Sequence, residues 1–254
     1  MKIFSFFNGK GGVGKTTLTI LLAAYITFAK HLRVIVYDLE APDYRIKTFR
    51  NQDLELLETP GTPLNNYVQR NPIPEHDSYF TIEEKDIRSK GELRHFVNDL
   101  KKMRSSRDYD VALLDFHALF DDDVPVLDLA REHLMDCVYI PQRKEPQERR
   151  SACRAALGLA SYGVATRLLW NDIDSDIILR KTPLDQAEKD VEFLQQYGVS
   201  FSPVRIKHFR KATQTTDEKC FVRSTICWPE KYVNLWCPEL VTLFEEILQH
   251  LSSL

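Results

Sequence analysis

The residues best suited to chemistry lie together near the N-terminus, in the run 8–17, Asn-Gly-Lys-Gly-Gly-Val-Gly-Lys-Thr-Thr. Four of the chain's nine glycines fall within six positions of this run. Glycine allows main-chain amides to turn inward around an anion, and a helix that starts after the loop adds the positive end of its dipole. In such a loop Lys15 reaches the β- and γ-phosphates, and the Thr16 hydroxyl binds Mg²⁺. Rather than a glycine-rich turn that binds nothing, the run predicts a nucleotide phosphate site formed by Gly11, Gly12, Val13, Gly14, Lys15, Thr16 and Thr17.

A further lysine, Lys10, stands five residues before Lys15 inside the loop. This arrangement resembles the deviant Walker A motif of the ParA/MinD family of ATPases, which includes plasmid and chromosome partition ATPases. The resemblance implies that ATP or ADP binds with Mg²⁺, and that two copies of the chain close around ATP with Lys10 reaching the partner's phosphates. An additional cation there would offset the charge that builds up during phosphoryl transfer. Lys10 and Lys15 are therefore expected to be catalytic.

Acidic residues follow two apolar runs at positions where the family carries its magnesium and water ligands. The resemblance assigns Asp38, after the run 34–37, and Asp115, after the run 111–114, to the magnesium shell. Glu40 stands where the family usually has a second aspartate, the catalytic residue that orients the attacking water. The additional methylene moves the carboxylate by about 1 Å, which is enough to change a rate substantially. Slow hydrolysis is therefore expected, and a chain that binds ATP and barely hydrolyses it remains an alternative.

Asn171 closes the apolar run 165–170, at a strand end where family members carry an asparagine that contacts adenine. With the following Asp-Ile-Asp it also resembles the Asn-Lys-x-Asp motif of guanine-specific GTPases, but Asp172 replaces the lysine whose stem would stack on the base. Adenine is therefore favoured, and a plain Asn/Asp turn is the structural alternative. Trp170 and Asn171, together with Arg223-Ser-Thr225, resemble the TraA-type ParA homologues of conjugative transposons. That resemblance implies a role in DNA transfer or partition.

Short apolar runs alternate with amphipathic stretches along the chain. The apolar runs are residues 3–7, 34–37, 111–114, 137–140, 165–170 and 204–206. Strands buried on both faces and separated by helices predict an α/β fold with a doubly wound, mostly parallel sheet flanked by helices. The chain is expected to form a single P-loop NTPase domain, 1–254, with an irregular, proline-containing insertion at about residues 58–90 over the sheet edge.

The bulk composition excludes several classes of protein. With 43% hydrophobic and 28% charged residues the chain is globular rather than disordered, and no uncharged apolar stretch reaches the roughly 20 residues of a membrane span. The five cysteines form no Cys-x-x-Cys pair, which argues against a zinc or iron–sulfur site and for a reducing, cytoplasmic location.

The N-terminus leads directly into a predicted strand, so no signal peptide is expected. The last helix carries glutamates in place of the basic residues with which MinD binds anionic lipid, so no membrane contact is expected.

The partners implied by the resemblance are a second copy of the chain, a ParB-like or transfer protein, and non-specific DNA. A short basic cluster, Arg205, Lys207, Arg210 and Lys211, is the candidate surface for DNA phosphates, and such binding weakens as the salt concentration rises. A solvated strand edge and loop explains the same cluster equally well, because the net charge of the chain is −3.

Two rival functions fit the same motifs. A metabolic ATP-dependent ligase of the dethiobiotin-synthetase type would turn over only with its small carboxylate substrate, and no obvious clamp for that substrate stands in the sequence. A nucleotide-sensing scaffold would bind ATP without hydrolysing it, and Glu40 is the reason to consider it.

Overall fold

The computed structural model describes residues 1–72, 79–116, 125–143, 145–173, 192–207 and 223–253. In these residues seven parallel strands form one sheet in the order β3-β2-β4-β1-β5-β6-β7, with helices on both faces, so the predicted doubly wound α/β fold is confirmed. The strands are β1 (Lys2–Phe6), β2 (Val34–Leu39), β3 (Thr81–Glu84), β4 (Val111–Phe116), β5 (Cys137–Gln142), β6 (Ala165–Ile173) and β7 (Val199–Lys207). The helices are α1 (Lys15–Ala24), which continues into a π-helical turn (Tyr25–Ala29), α2 (Arg45–Glu58), α3 (Pro63–Arg70), α4 (Lys90–Ser105), α5 (Pro125–Arg131), α6 (Pro146–Ala160), α7 (Glu230–Trp236) and α8 (Glu239–Ser253).

The sheet is buried on both faces because its strands are apolar on both sides. Successive side chains of a strand point to opposite faces. In β1, Phe4 and Phe6 join a hydrophobic cluster with residues of α1 and α8, whereas Ile3 joins a second cluster with residues of α4, α5 and α6. Each helix layer therefore covers one face of the sheet. The polar ends of the strands lie outside these two covered faces.

The order of the strands brings the carboxyl ends of β1, β2 and β4 together. β1 lies between β4 and β5, and β2 lies on the far side of β4. In the parallel register Asp115 pairs with Phe6 on one side and with Asp38 on the other. Ligands of doubly wound sheets bind outside the carboxyl ends of the strands, at the point where the winding direction changes. The crevice beside the loop after β1 is therefore the expected place for a ligand.

The segment 58–90 contains two regular elements in its described part. The Thr62 hydroxyl accepts a hydrogen bond from the Asn65 amide at 3.2 Å and caps α3, and Pro63 occupies the first helical position. β3 then pairs in parallel with β2 and forms the edge of the sheet. The segment thus adds a strand to the sheet, and its status as an insertion in a single domain remains a prediction.

The C-terminal helix α8 is part of the core. Its apolar stripe, Leu240, Leu243, Phe244, Ile247 and Leu251, is buried. The Tyr139 hydroxyl and the Arg167 guanidinium donate to Glu246 Oε1 at 2.8 and 2.6 Å, and these polar contacts fix the helix against the sheet. Among the residues that the structure describes, no helix is long and apolar enough to cross a lipid bilayer.

Candidate nucleotide site

The glycine-rich loop connects β1 to α1 and is shaped by its glycines. Gly14 is the N-cap residue of α1 with a φ of 92°, and its carbonyl accepts a hydrogen bond from the Leu18 amide at 2.9 Å. Gly12 also has a positive φ, 77°. Residues with a Cβ rarely adopt this conformation. A Cβ on Gly14 would lie 2.5 Å from Asn171 Nδ2, so this position requires glycine for its backbone and for space.

The buried side chain of Asn8 holds the first half of the loop. Its Oδ1 accepts hydrogen bonds from the Lys10 main-chain amide and from the Ser151 hydroxyl, both at 2.9 Å. Its Nδ2 donates to the Pro141 carbonyl at 2.8 Å. One side chain therefore joins the loop to the end of β5 and to α6. The motif gives no sign of this role, because only the fold brings residues 141 and 151 beside residue 8.

Lys15 is buried at the first position of α1. Its Nζ donates to the Lys10 carbonyl at 2.9 Å, so the ammonium group closes the loop on itself. Burial lowers the pKa of Lys15, and the carboxylates of Asp115 and Glu40 oppose that change. An ammonium group that is partly removed from water interacts more strongly with a nearby anion. Its position therefore suits the phosphate contact predicted for it.

Asp115 ends β4 as a fully buried carboxylate. Its Oδ1 lies 3.4 Å from the Thr19 hydroxyl, and the Thr16 side chain also hydrogen-bonds to Asp115. Its Oδ2 has no hydrogen-bond partner among the described residues. Burial, with the added negative charges of Asp38 and Glu40, raises the pKa of Asp115 to about 7. A buried carboxylate in this setting requires a cation to stabilise its charged form.

Asp38 lies beside Asp115 on the neighbouring strand, but its carboxylate also serves the next helix. Its Oδ2 accepts hydrogen bonds from the amides of Ile46 at 2.8 Å and Lys47 at 3.3 Å. These amides belong to the first turn of α2, so Asp38 caps that helix. Burial raises the pKa of Asp38, and the bonded amides oppose the change. Any magnesium contact of Asp38 is therefore shared with the start of α2.

Glu40 follows β2 with only 7% of its surface exposed. Its main-chain carbonyl accepts hydrogen bonds from the amides of Asp43 and Tyr44 at 2.9 and 3.0 Å. These bonds form a turn between β2 and α2. Its side-chain Oε2 lies 3.4 Å from Arg45 Nε. Glu40 and Arg45 both influence the pKa of Lys15, so all three lie within electrostatic reach of one another. No sequence motif singles out Arg45.

Asn171 lies near the end of β6, against the phosphate loop. Its Nδ2 donates a hydrogen bond to the Val13 carbonyl at 2.7 Å. The amide nitrogen therefore holds the second half of the loop, as Asn8 holds the first half. This contact adds a structural role to the predicted contact with adenine, and the spacing of the motif could not reveal it.

The residues present fit a nucleotide with Mg²⁺ better than an ion held by protein ligands alone. Within the described ranges, no group of three or more His, Cys, Asp or Glu side chains could hold a metal ion. Mg²⁺ at phosphate sites usually has one or two protein oxygens, and phosphate oxygens and water complete its shell. The Thr16 hydroxyl and the buried Asp115 Oδ2 are oxygens of this kind.

The predicted DNA surface is described only in part. Arg210 and Lys211 lie outside the described residues. Lys207, at the end of β7, forms an ion pair with Glu239 of α8, with 3.0 Å between Nζ and Oε1. Arg205 is half-buried on the same strand. The ion pair reduces the positive charge that this strand offers to phosphates.

Solved structures with a similar fold include proteins of several functions, two of them with a bound nucleotide analogue. MinD cell division protein of Aquifex aeolicus is 18% identical, with 98% of this chain and 97% of that chain covered and a TM-score of 0.65. A plasmid partition protein of Borrelia burgdorferi B31, bound to AMPPNP, is 18% identical over 96% and 98% of the two chains, with a TM-score of 0.56. Cobyrinic acid a,c-diamide synthase of Mycobacterium smegmatis, with a bound ATP analogue and magnesium, is 18% identical over 84% and 89%, with a TM-score of 0.55. These similarities establish a common fold.

The sequence itself matches one family. No curated protein sequence matches the chain. Residues 4–117 match the CobQ/CobB/MinD/ParA nucleotide-binding domain, and this range contains the phosphate loop and both aspartates at the ends of β2 and β4. Residues 4–117 thus resemble the nucleotide-binding domain of the ParA/MinD family, and the described sheet as a whole has the fold of MinD and of the plasmid partition protein.

Proposed function

We propose that the protein is a dimeric molecular switch that binds ATP with Mg²⁺ and hydrolyses it slowly. The observation that carries the proposal is the combination, in one site, of an ammonium group bonded to the loop and a buried carboxylate oxygen without a partner among the described residues. These are Lys15 Nζ and Asp115 Oδ2. The phosphates of ATP pair with the Lys15 ammonium group, and the metal ion bound to ATP pairs with the Asp115 carboxylate.

The binding roles follow from the positions of the groups. The main-chain amides of residues 11–17 bind the phosphates, and Lys15 neutralises part of their charge. Thr16 and Asp115 hold Mg²⁺, and Asp38 supports it through water. Bound Mg²⁺ would supply additional positive charge at the transferred phosphoryl group. Asn171 keeps the loop in shape beside the adenine.

The catalytic roles fall to residues on either side of the phosphates. Glu40 orients the attacking water, and its greater length than aspartate makes hydrolysis slow. Lys10 acts on the phosphates bound by the partner subunit. Its main chain makes the loop contacts, since its amide donates to Asn8 and its carbonyl accepts from Lys15. Both of these main-chain contacts can still form when the Lys10 side chain is shortened to alanine.

The biological role that we propose is DNA partition or conjugative transfer in the cytoplasm. In this role the ATP-bound dimer engages non-specific DNA and a ParB-like or transfer protein, which stimulates hydrolysis and reopens the dimer. The likeness to a plasmid partition protein and the TraA-type sequence features around Asn171 and Arg223 support this role.

A metabolic ATP-dependent ligase is the second candidate. The likeness to cobyrinic acid a,c-diamide synthase favours it, because that enzyme has the same fold and binds an ATP analogue with magnesium. Such an enzyme would consume ATP only when its small-molecule substrate is added. Hydrolysis that DNA stimulates and small carboxylates leave unchanged would favour the switch. Failure to hydrolyse ATP under any of these conditions would favour a nucleotide-sensing scaffold.

Lys10→Ala tests the dimeric switch directly. We expect this variant to bind ATP as the wild type does but to stay monomeric with ATP and Mg²⁺, because the partner's phosphates lose their cation. Light scattering after size-exclusion chromatography measures the mass. Lys102→Ala, on the exposed face of α4, is the matched control and should dimerise normally. A Lys10→Ala protein that dimerises as the wild type does would contradict the mechanism.

A further inference from the structure

Arg45 is the first residue of α2 and is held beside the candidate site. The amides of the next two residues bond to Asp38, which fixes the start of the helix at the end of β2. The Arg45 side chain is 56% exposed, and its Nε lies 3.4 Å from Glu40 Oε2. The guanidinium group is therefore positioned by the fold without being buried by it.

The ion-pair partner of Arg45 is Glu40, the residue that we propose orients the attacking water. Glu40 lies within electrostatic reach of Lys15 and Asp115, the two groups to which we assign the phosphates and the metal. A cation held on Glu40 thus lies at the end of the site where the terminal phosphate of ATP would be. An aspartate at position 40 would end one methylene short of this contact.

We propose that Arg45 is a third phosphate-binding cation, supplied by the same subunit, and that it exchanges Glu40 for the terminal phosphate when ATP binds. This inference rests on the proposed nucleotide-binding function. The Glu40 side chain is only 9% exposed, so another cation has to balance its charge when Arg45 leaves, and Lys15 lies within electrostatic reach of it. A guanidinium group can bind phosphate oxygens through two parallel hydrogen bonds. The exchange also releases the Glu40 carboxylate to accept a hydrogen bond from water.

The consequence is a residue that distinguishes ATP from ADP. Lys15 lies in the loop and serves both nucleotides, whereas Lys10 acts on the other subunit's nucleotide. Arg45 contacts only the terminal phosphate in its own subunit. The contribution of Arg45 therefore appears in the ratio of the affinities for ATP and ADP. This ratio can be measured even when the protein is monomeric and does not hydrolyse ATP.

The test is a calorimetric comparison of Arg45→Ala and wild type, with Mg²⁺ and either AMPPNP or ADP. We expect Arg45→Ala to weaken AMPPNP binding roughly tenfold, the effect of losing a hydrogen bond to a charged group, and to leave ADP binding unchanged. Arg45→Lys, which keeps the charge and loses the fork, should fall between the two. Lys47→Ala is the matched control, because this exposed lysine lies in the same helical turn and should change neither affinity.

The possible results separate the inference from the function on which it rests. Equal weakening of AMPPNP and ADP by Arg45→Ala, or no change in either, would overturn the role of Arg45 and leave nucleotide binding established. A wild-type protein that binds neither nucleotide would overturn the proposed function together with this inference. Circular dichroism of each variant confirms that it is folded.

Discussion

At the scale of single residues, Gly12 and Gly14 allow the cost of backbone strain to be compared with the cost of a steric clash. Both have positive φ, but only a Cβ at Gly14 would meet another atom, Asn171 Nδ2 at 2.5 Å. We expect Gly12→Ala to lower the free energy of unfolding by about 1–2 kcal/mol through backbone strain alone. Gly14→Ala should cost more, because Asn171 has to leave its bond to Val13. Equal losses in denaturant unfolding would show that the contact with Asn171 is unimportant.

Asp115 gives a prediction for pH dependence. Its pKa in the folded protein is about 7, above the ordinary value of about 3.9 for aspartate, because the carboxyl is buried beside other acids. The folded state therefore binds this proton more tightly than the unfolded state. The stability that Asp115 contributes is fully present below about pH 4 and is lost as the pH rises from there through about 7.

Asp115→Asn removes this titration and provides the measurement. In nucleotide-free protein with EDTA, the variant should gain stability relative to wild type between about pH 4 and pH 7, as followed by urea unfolding. If the free energies of unfolding of the two proteins changed with pH in parallel, the raised pKa of Asp115 would be wrong. A cation beside Asp115, such as the Mg²⁺ ion that we propose, would lower this pKa and favour the ionised carboxylate.

At the scale of elements, Asp38 links the nucleotide site to α2. Asp38→Ala removes the cap on the amides of Ile46 and Lys47 and should lower the free energy of unfolding by about 1 kcal/mol or more. Asp38→Asn keeps an acceptor oxygen and should retain most of the stability while losing the negative charge. Chemical unfolding of both variants checks this. If Asp38→Asn were as unstable as Asp38→Ala, the cap would not be the reason.

Elements with a strong apolar pattern could be predicted from the sequence, and weak ones could not. The runs 34–37 and 111–114 predict β2 and β4 because these strands are buried on both faces. β3 escapes prediction within the segment 58–90, because its sequence Thr-Ile-Glu-Glu is short, half polar and only partly buried. Its strand conformation comes from pairing with β2 at the sheet edge.

At the scale of the whole molecule, the fold supplies contacts that no local pattern encodes. The loop after β1 could be predicted because its residues are consecutive, and Asp115 because it follows an apolar run that forms a strand. That these residues bind a nucleotide with Mg²⁺ stays a prediction. The hydrogen bonds from Ser151 to Asn8 and from Asn171 to Val13 join residues that are 143 and 158 positions apart. The first depends on the position of α6, and the second on the sheet order that places β5 beside β1 and β6 beside β5. For the same reason the sequence could not indicate that Lys207 is paired with Glu239 and offers less charge to DNA.

The central claim is that the loop around Lys15 and the carboxylate of Asp115 together bind a nucleotide with its metal ion. Calorimetric titration of the purified protein with ATP in the presence and absence of Mg²⁺ tests this claim most directly. We predict saturable binding of ATP that is tighter with Mg²⁺ and is lost in Lys15→Ala. The absence of any binding heat with ATP, ADP, GTP or GDP in the presence of Mg²⁺ would contradict it.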